Sequence, residues 1–471
     1  MPVTSGNLRS FEDAASRAAE AIRSAKSALV ISHIDADGIA AGSIASMALG
    51  RLGIGHSVVF EKKITEEVVN KVNSSTEDIV WICDLGSGYL SEFRKDGLVI
   101  TDHHVPDTRR NRRQATLDDF SALYHVNPHC FGMDGSIEIS GAGSTYMVAK
   151  KLDRNNIDLA YLALIGAVGD FQDSRESGLI SMNRIIVDEA VRSGDVIPEN
   201  DLRLFGRETR NLVQFLQYSS DPELPGLSNS GQSCVKFYSD LAIDLNYGGR
   251  PRSWNSLAPP EKKRATEKLL KMLGNPTDAK HLYGEVYTLP RFEPGSGLRD
   301  AKEFATILNS CGRYEDAETG MRICCGDRTA LEDAERNRTE HRRNISAAMS
   351  YVKENHLMRE KRFVQYFDAG DQIKETVVGI VAGMMLNSEG CKKWLPIIAF
   401  ADAEDGVKVS ARADRTLVDR GLNLSAVMKK AAELVGGFGG GHSVAAGATI
   451  PPEKKEEFLE IVEDLVSCQV I

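Results

Sequence analysis

Four short stretches of this chain place aspartate and histidine directly after apolar runs. They are His33-Ile34-Asp35-Ala36-Asp37-Gly38 in "ISHIDADGIAAG", Asp84 in "IVWICDLGSG", Asp102-His103-His104 in "LVITDHHVPD" and Asp170 in "LALIGAVGDFQD". A carboxylate at the edge of a buried run is costly unless something compensates its charge. A helix N-cap or a salt bridge would account for any one of these clusters taken alone. Four acidic clusters together point to a shared partner, and the simplest is a pair of divalent cations. Oxygen donors with a minority of imidazole favour Mn²⁺, with Mg²⁺ as the alternative, over zinc, which prefers sulfur and nitrogen.

The elements that must position these residues are legible in the first 170 residues. Ala28–Ile31, Ser57–Phe60, Ile79–Ile82 and Leu98–Thr101 read as strands, with helical patterns at about 39–52 and 64–72 between them. Short apolar strands alternating with amphipathic helices predict an α/β fold built on a doubly wound parallel sheet. Ligands of such sheets gather at the carboxyl ends of the strands, where the acidic residues fall. His33, Asp35 and Asp37 alternate, so one extended segment would point all three the same way. The small residues Ala40, Ala41 and Gly42 would let the following helix pack close to the sheet.

The texture changes further on. Prolines and glycines punctuate short segments from about 226 to 330, reading as an inserted, partly helical region. Residues 331–357 contain neither Gly nor Pro and predict one exposed, charged helix. Strand and helix alternate again after about 362 and end in a glycine-rich stretch and a helix.

At 471 residues the chain is too long for a single core. No apolar stretch reaches the ~20 residues that span a bilayer, and no signal-peptide core is visible, so a cytoplasmic protein without a membrane partner is expected. Its eight cysteines include no CxxC pair, which predicts reduced thiols. A net charge of −10 disfavours a general nucleic-acid coat, while leaving room for an enzyme whose site is offset by cations.

"SHIDADGIAAG", "ICDLG", "TDHHVPD" and "AVGDFQD" resemble the four ordered motifs of the DHH phosphoesterase superfamily. "KVSARAD" and "GGFGGGHSVAAGATI" resemble the signature of its DHH-associated C-terminal domain. "NPH", "GAGSTYMVAK" and "ETVVGIVAGMML" are similar to the RecJ branch, and "LVQFLQYSSDPELPGL" resembles archaeal RecJ-like exonucleases, including the GINS-associated nuclease. The resemblance implies a DHH domain over residues 1–225, an insertion at 226–330, a linker helix at 331–361 and a smaller α/β substrate-binding domain at 362–471.

The resemblance also implies a two-metal site. His33, Asp35 and Asp84 would hold one cation, and Asp37, Asp84, His103 and Asp170 the other, with Asp84 shared. Such a pair clamps a phosphodiester and lowers the pKa of water. His104 would face the phosphate, while Asp102 would stand behind the ligands and fix a histidine tautomer. Bacterial members often carry Asp where this chain has His33.

In the C-terminal domain Ser410 and Arg412 of "VSARAD" would bind substrate, the arginine offering a planar fork to a phosphate. Gly439, Gly440, Gly441 and His442 read as a loop whose N–H groups approach a phosphate. Arg207, Arg210 and Arg362 are candidate contributors to a basic track.

The function implied is a metal-dependent exonuclease that cuts single-stranded DNA or RNA to mononucleotides, in replication or repair. GINS and the replicative helicase are the implied partners, with GINS docking near 230–330. The alternatives are a structural part of that helicase complex, or a phosphoesterase for very short oligonucleotides or cyclic dinucleotides. No motif here encodes polarity or a preference between DNA and RNA.

Overall fold

A computed structural model of the protein describes residues 5–107, 123–174, 177–220, 222–274, 276–386, 388 and 391–470. The chain divides into two compact units, residues 1–337 and 338–471.

In the first unit β1 (Ser27–His33), β2 (Gly55–Glu61), β3 (Ile79–Cys83), β4 (Leu98–Thr101) and β5 (Leu123–Val126) form a parallel sheet in the order β2-β1-β3-β4-β5. Leu29, Ile31, Val80, Ile82 and Ile100 pack into one core, and Val30, Trp81, Cys83 and Val99 into another. Both faces are therefore buried, which is why these strands read as unbroken apolar runs. The four expected strands are present with ends within two residues of their sequence limits. Chain order reverses at β1, which has β2 on one side and β3 on the other, opening a crevice at the carboxyl ends of β1 and β3.

The helices that matter to that crevice are α1 (Ala36–Arg51), α2 (Glu66–Ser74), α3 (Gly141–Leu152), α4 (Ala160–Gly169) and α5 (Ala301–Arg313). Helix α1 begins three residues before its sequence-expected start. Asp35 caps it, its carboxylate accepting from the Gly38 N–H at 2.9 Å.

The stretch between Leu202 and Leu282 has its own core, which includes Leu212, Phe215, Trp254 and Leu269. Phe215 stacks on Trp254 with ring centroids 5.2 Å apart. The segment is entered through β6 (Ile197–Leu202) and left through β7 (Tyr283–Thr288), which pair antiparallel. A single helix, Arg328–Glu354, occupies the charged stretch expected to be helical.

The second unit carries a mixed sheet of β8 (Arg359–Glu360), β9 (Gln365–Asp368), β10 (Ile397–Ala403), β11 (Gly406–Arg412), β12 (Phe438–Gly441) and β13 (Ala445–Ile450), in the order β8-β9-β10-β11-β13-β12. Alternation along β10 serves both faces. Ile397, Ala399 and Ala401 meet the apolar side of helix α6 (Glu375–Leu386), while Ile398 and Phe400 pack with Met428 and Phe458.

No described helix is long and apolar enough to cross a membrane. The eight cysteines are all free thiols.

Candidate metal centre

The crevice between β1 and β3 collects the acidic motifs, each delivered by a different local device. His33 closes β1, Asp35 caps α1, and Asp37 lies in that helix's first turn. The three therefore do not share one extended segment as the alternation suggested. Asp35 ends the strand because its carboxylate finds a partner in the helix's free N–H groups. Asp84 follows β3 with φ +59°, a left-handed conformation that Asp tolerates better than most residues. Asp170 forms the C-cap of α4.

The side chains converge. His33 Nδ1 lies 3.0 Å from Asp35 Oδ2 and 3.4 Å from Asp84 Oδ2. His103 Nε2 lies 3.2 Å from Asp84 Oδ1 and 3.7 Å from Asp37 Oδ2, and its Nδ1 is 3.8 Å from Asp170 Oδ2. Three groups bring ligand atoms within 4.8 Å of one another: His33, Asp35 and Asp84; Asp37, His103 and Asp170; and Asp84, His103 and His104. Asp84, 1% exposed, belongs to two of them.

Backbone design makes room for these carboxylates. Asp37 accepts from the Gly141 and Ala142 N–H groups at 2.7 and 3.0 Å, so it sits on the N-terminus of α3. A Cβ at Gly141 would fall 2.3 Å from Asp84 Oδ1, and one at Gly166 would fall 2.3 Å from Asp37 Oδ1. Any side chain at either glycine would displace a carboxylate.

Burial and mutual repulsion set the electrostatics. Burial, reinforced by the charge of Asp84, pushes Asp37 well above the usual carboxylate range. Burial also raises Asp170. Asp84 goes the other way: burial would raise it, but the His103 and His33 rings beside it hold it low. Burial would lower His33, yet Asp35 and Asp84 outweigh that and push it up to about 11. His103 is raised well above its ordinary value, burial again being outweighed, here by Asp84 and Asp37. The surrounding carboxylates thus favour the protonated form of both imidazoles.

Two buried atoms of this cluster lack a hydrogen-bond partner among the described residues: Asp84 Oδ1 and His33 Nδ1. Their contacts at 3.2 and 3.0–3.4 Å have the proximity of ion pairs without hydrogen-bond alignment. An orphaned oxygen and an orphaned ring nitrogen among four carboxylates fit a site for divalent cations.

Asp102 is set apart from that cluster. Its Oδ1 accepts from the His103 and His104 N–H groups at 2.7 and 3.1 Å and from His104 Nδ1 at 2.8 Å. Its Oδ2 accepts from the Ser87 N–H at 2.9 Å. With Nδ1 engaged and its side chain 56% exposed, His104 turns Nε2 outward. His103 Nδ1 donates to the Gly135 carbonyl at 2.6 Å, leaving Nε2 for the carboxylates.

Sequence reasoning overlooked the residues that lock this arrangement. Buried Gln172 donates to the Gly135 carbonyl at 2.9 Å and to Asp170 Oδ2 at 3.0 Å, and accepts from Asn183 at 2.7 Å. Asn127 donates to the His104 carbonyl and to Ser87 Oγ at 2.8 and 2.9 Å. Both lie inside stretches singled out above, "AVGDFQD" and "NPH", where an amide beside a charged motif was the available signal. Asn309 of α5 accepts from the Ala36 N–H at 2.9 Å, and no sequence signal marked it.

The expected basic track is revised at Arg207. Its side chain is 1% exposed and is spent on Glu199, Asp201 and Asp300 at 2.8, 3.3 and 3.0 Å. Arg210 lies over the Phe205 and Tyr218 rings, and Arg362 over Phe363.

In the second unit Ser410 and Arg412 lie on β11, and Gly379 of α6 packs against both. Gly439, Gly440 and Gly441 form the edge strand β12, paired with β13, where a loop was expected. Their N–H groups alternate in direction and do not converge as a phosphate cradle does. Without a Cβ, Gly439 fits against the Met428 carbonyl, where one would fall 2.7 Å away. Exposed His442 starts the turn between the two strands, its N–H donating to the Ala445 carbonyl at 2.8 Å.

Comparison with known proteins agrees with this anatomy. Residues 360–467 match the DHHA1 domain and residues 204–280 the DHH-CID domain. An uncharacterized protein of Methanocaldococcus jannaschii is 30% identical over 448 residues, covering 94% of this chain and 93% of the relative. The chain belongs to the DHH superfamily, and its fold is RecJ-like. The Mn²⁺ complex of RecJ from Thermus thermophilus aligns with a TM-score of 0.56 at 17% identity, over 99% of this chain and 55% of the Thermus protein. This DHH protein thus spans about half of that RecJ. CDC45 from Entamoeba histolytica aligns with a TM-score of 0.63 at 15% identity, over 98% of this chain and 99% of CDC45. At these identities both likenesses establish the fold.

Proposed function

We propose that this chain is a metal-dependent exonuclease that hydrolyses single-stranded DNA or RNA to mononucleotides. The observation that carries the reading is buried Asp84, shared between two ligand groups and holding an oxygen that no donor among the described residues satisfies. His33, Asp35 and Asp84 would hold one divalent cation; Asp37, Asp84, His103 and Asp170 would hold the second. Four carboxylates balance the charge of two such ions, and the oxygen-rich set favours Mn²⁺ over zinc. Bound there, the cations supply positive charge for the phosphodiester and lower the pKa of water.

The chain's own groups do the rest. Asp102 fixes the His104 ring through Nδ1 and raises its pKa, favouring a doubly protonated ring whose Nε2–H can donate to a non-bridging phosphate oxygen. Helix α3 directs its first N–H groups at Asp37 and so holds that carboxylate still. Arg412 has no carboxylate partner among the described residues, and burial alone acts on its pKa, downward. With Ser410 and His442 it would form the substrate grip, beside the paired strand of Gly439, Gly440 and Gly441.

Purified protein with Mn²⁺ should shorten an end-labelled single strand, and EDTA or Asp84→Asn should abolish that activity. Strand shortening by a folded Asp84→Asn variant would refute the assignment. Rates on a dinucleotide and on a long strand separate this enzyme from one for very short oligonucleotides.

The likeness to CDC45 over nearly the whole chain favours a second reading, a structural role in a helicase complex with GINS. The region near 230–330 would then supply the docking surface. Co-purification with GINS by a variant lacking Asp84 would support that role independently of catalysis.

A further inference from the structure

The turn before β10 holds one of the chain's three tryptophans in an unusual setting. Trp81 and Trp254 are fully buried, whereas Trp394 is 63% exposed. The turn that presents it is tied down by hydrogen bonds. Buried Gln365 donates through Nε2 to the Lys392 and Leu395 carbonyls at 2.7 and 2.8 Å, and its Oε1 accepts from the Lys392 N–H at 3.2 Å. The Gln365 N–H reaches the Pro396 carbonyl at 3.0 Å, and the Leu395 N–H closes on the Lys392 carbonyl at 3.0 Å. A buried amide that spends its capacity on one surface turn fixes the geometry of what the turn displays. What it displays is a large apolar ring facing water.

Sheet register sets this turn beside cationic groups. Trp394 precedes β10 by three residues, and the first residue of β10, Ile397, pairs with Arg412 at the end of β11. Arg412 in turn pairs with Ala445, where β13 leaves the turn that holds His442. One end of the sheet therefore gathers Trp394, Arg412 and His442. Lys393 is exposed there, and its charge reaches Asp414, which hydrogen bonds from Thr416 already hold low. Lys392 lies 6.0 Å from the Trp394 ring centroid and pairs with Glu360 at 2.5 Å. Arg412 is seated close against Gly379, where a Cβ would fall 2.7 Å from its Nη2, and it has no carboxylate partner among the described residues.

From this arrangement we propose that Trp394 is a stacking platform for a nucleobase of a single strand whose phosphates meet Arg412 and Lys393. An exposed aromatic at the same sheet end as an arginine without a carboxylate partner among the described residues is complementary to a polyanion that carries flat apolar faces. A helical or folded protein partner would be expected to bring acidic side chains and no requirement for bases. The inference rests on the reading that the chain acts on single-stranded nucleic acid, and it adds a base contact to the phosphate grip.

The test is equilibrium binding of a fluorescein-labelled (dA)12 strand to the full chain, with Ca²⁺ in place of Mn²⁺ to suppress turnover. Trp394→Ala should weaken binding on the order of tenfold, the worth of one base stacked on an aromatic ring. Trp394→Phe should recover most of that loss. A strand of abasic residues should bind wild type and Trp394→Ala alike. Because the other two tryptophans are buried, the unlabelled strand should quench wild-type tryptophan emission and leave that of Trp394→Phe unchanged. Equal affinity of wild type and Trp394→Ala for (dA)12, or unquenched emission on saturation, would overturn the platform. Strand cleavage with Mn²⁺ alongside such a result would leave the nuclease reading standing. A strand that is bound through Trp394 but never cleaved would do the reverse.

Discussion

Cation binding at the acidic crevice should expel protons, and the number can be worked out in advance. His33 sits 3.0 Å from Asp35 and 3.4 Å from Asp84, and although burial opposes it, those carboxylates push its pKa up to about 11. His103, 3.2 Å from Asp84, is raised well above its ordinary value for the same reason. Near pH 7.5 both rings are therefore expected to be doubly protonated in the metal-free protein. Only neutral imidazole ligates a cation, so filling the site releases about one proton per histidine, about two in all. Any proton retained by Asp37 or Asp170, both raised by burial, adds to that count. The apparent association constant for each ion should then rise about tenfold per pH unit between pH 6.5 and 9.

The assay is calorimetric titration with Mn²⁺ in buffers of different ionisation enthalpy, where the dependence of heat on buffer yields the proton count directly. The sign also appears in stability. A histidine raised in the folded state contributes stability that is complete below its unfolded pKa near 6.5 and is lost as pH rises through about 11. Metal-free protein should therefore lose thermal stability as pH is raised from 6.5 to 9, and saturating Mn²⁺ should remove that slope. Tight Mn²⁺ binding with no proton release would refute the reasoning, because the imidazoles would then be neutral before the metal arrived.

Two further perturbations test what surrounds the site. Gln172→Ala removes the amide that ties Asp170 to the Gly135 carbonyl, which His103 also uses, and should weaken Mn²⁺ binding about 10- to 100-fold in the same titration. Unchanged affinity would show that Asp170 and His103 are held by other contacts. Arg207→Met strands Asp201 and Asp300 as buried charges and should cost about 3–5 kcal/mol in urea unfolding. A loss below about 1 kcal/mol would mean that solvent or Lys262, 2.7 Å from Asp201, already neutralises them.

The sheet and its acidic ends were legible because they obey local rules. Ile79–Ile82 and Leu98–Thr101 could be placed from apolar runs buried on both faces, and Asp84 and Asp102 follow them directly. What could not be read depends on long-range contacts. Arg207 and Arg210 are three residues apart in one polar stretch, yet one is buried among carboxylates from β6 and the cap of α5, while the other lies over aromatic rings. Glycines 439 to 441 are as compatible with a loop as with a strand, and pairing with Ala446, Gly447 and Ala448 decides between them.

Arg207 also links what the sequence presented as separate. It binds Asp300, the N-cap of α5, and the same helix offers Asn309 to the Ala36 N–H between two metal-ligand candidates. The base of the inserted segment and the first turn of α1 are thus fastened to opposite ends of one helix. An insertion attached at that point can do more than decorate the sheet edge: its anchoring arginine shares a rigid element with the carboxylates that would carry the chemistry.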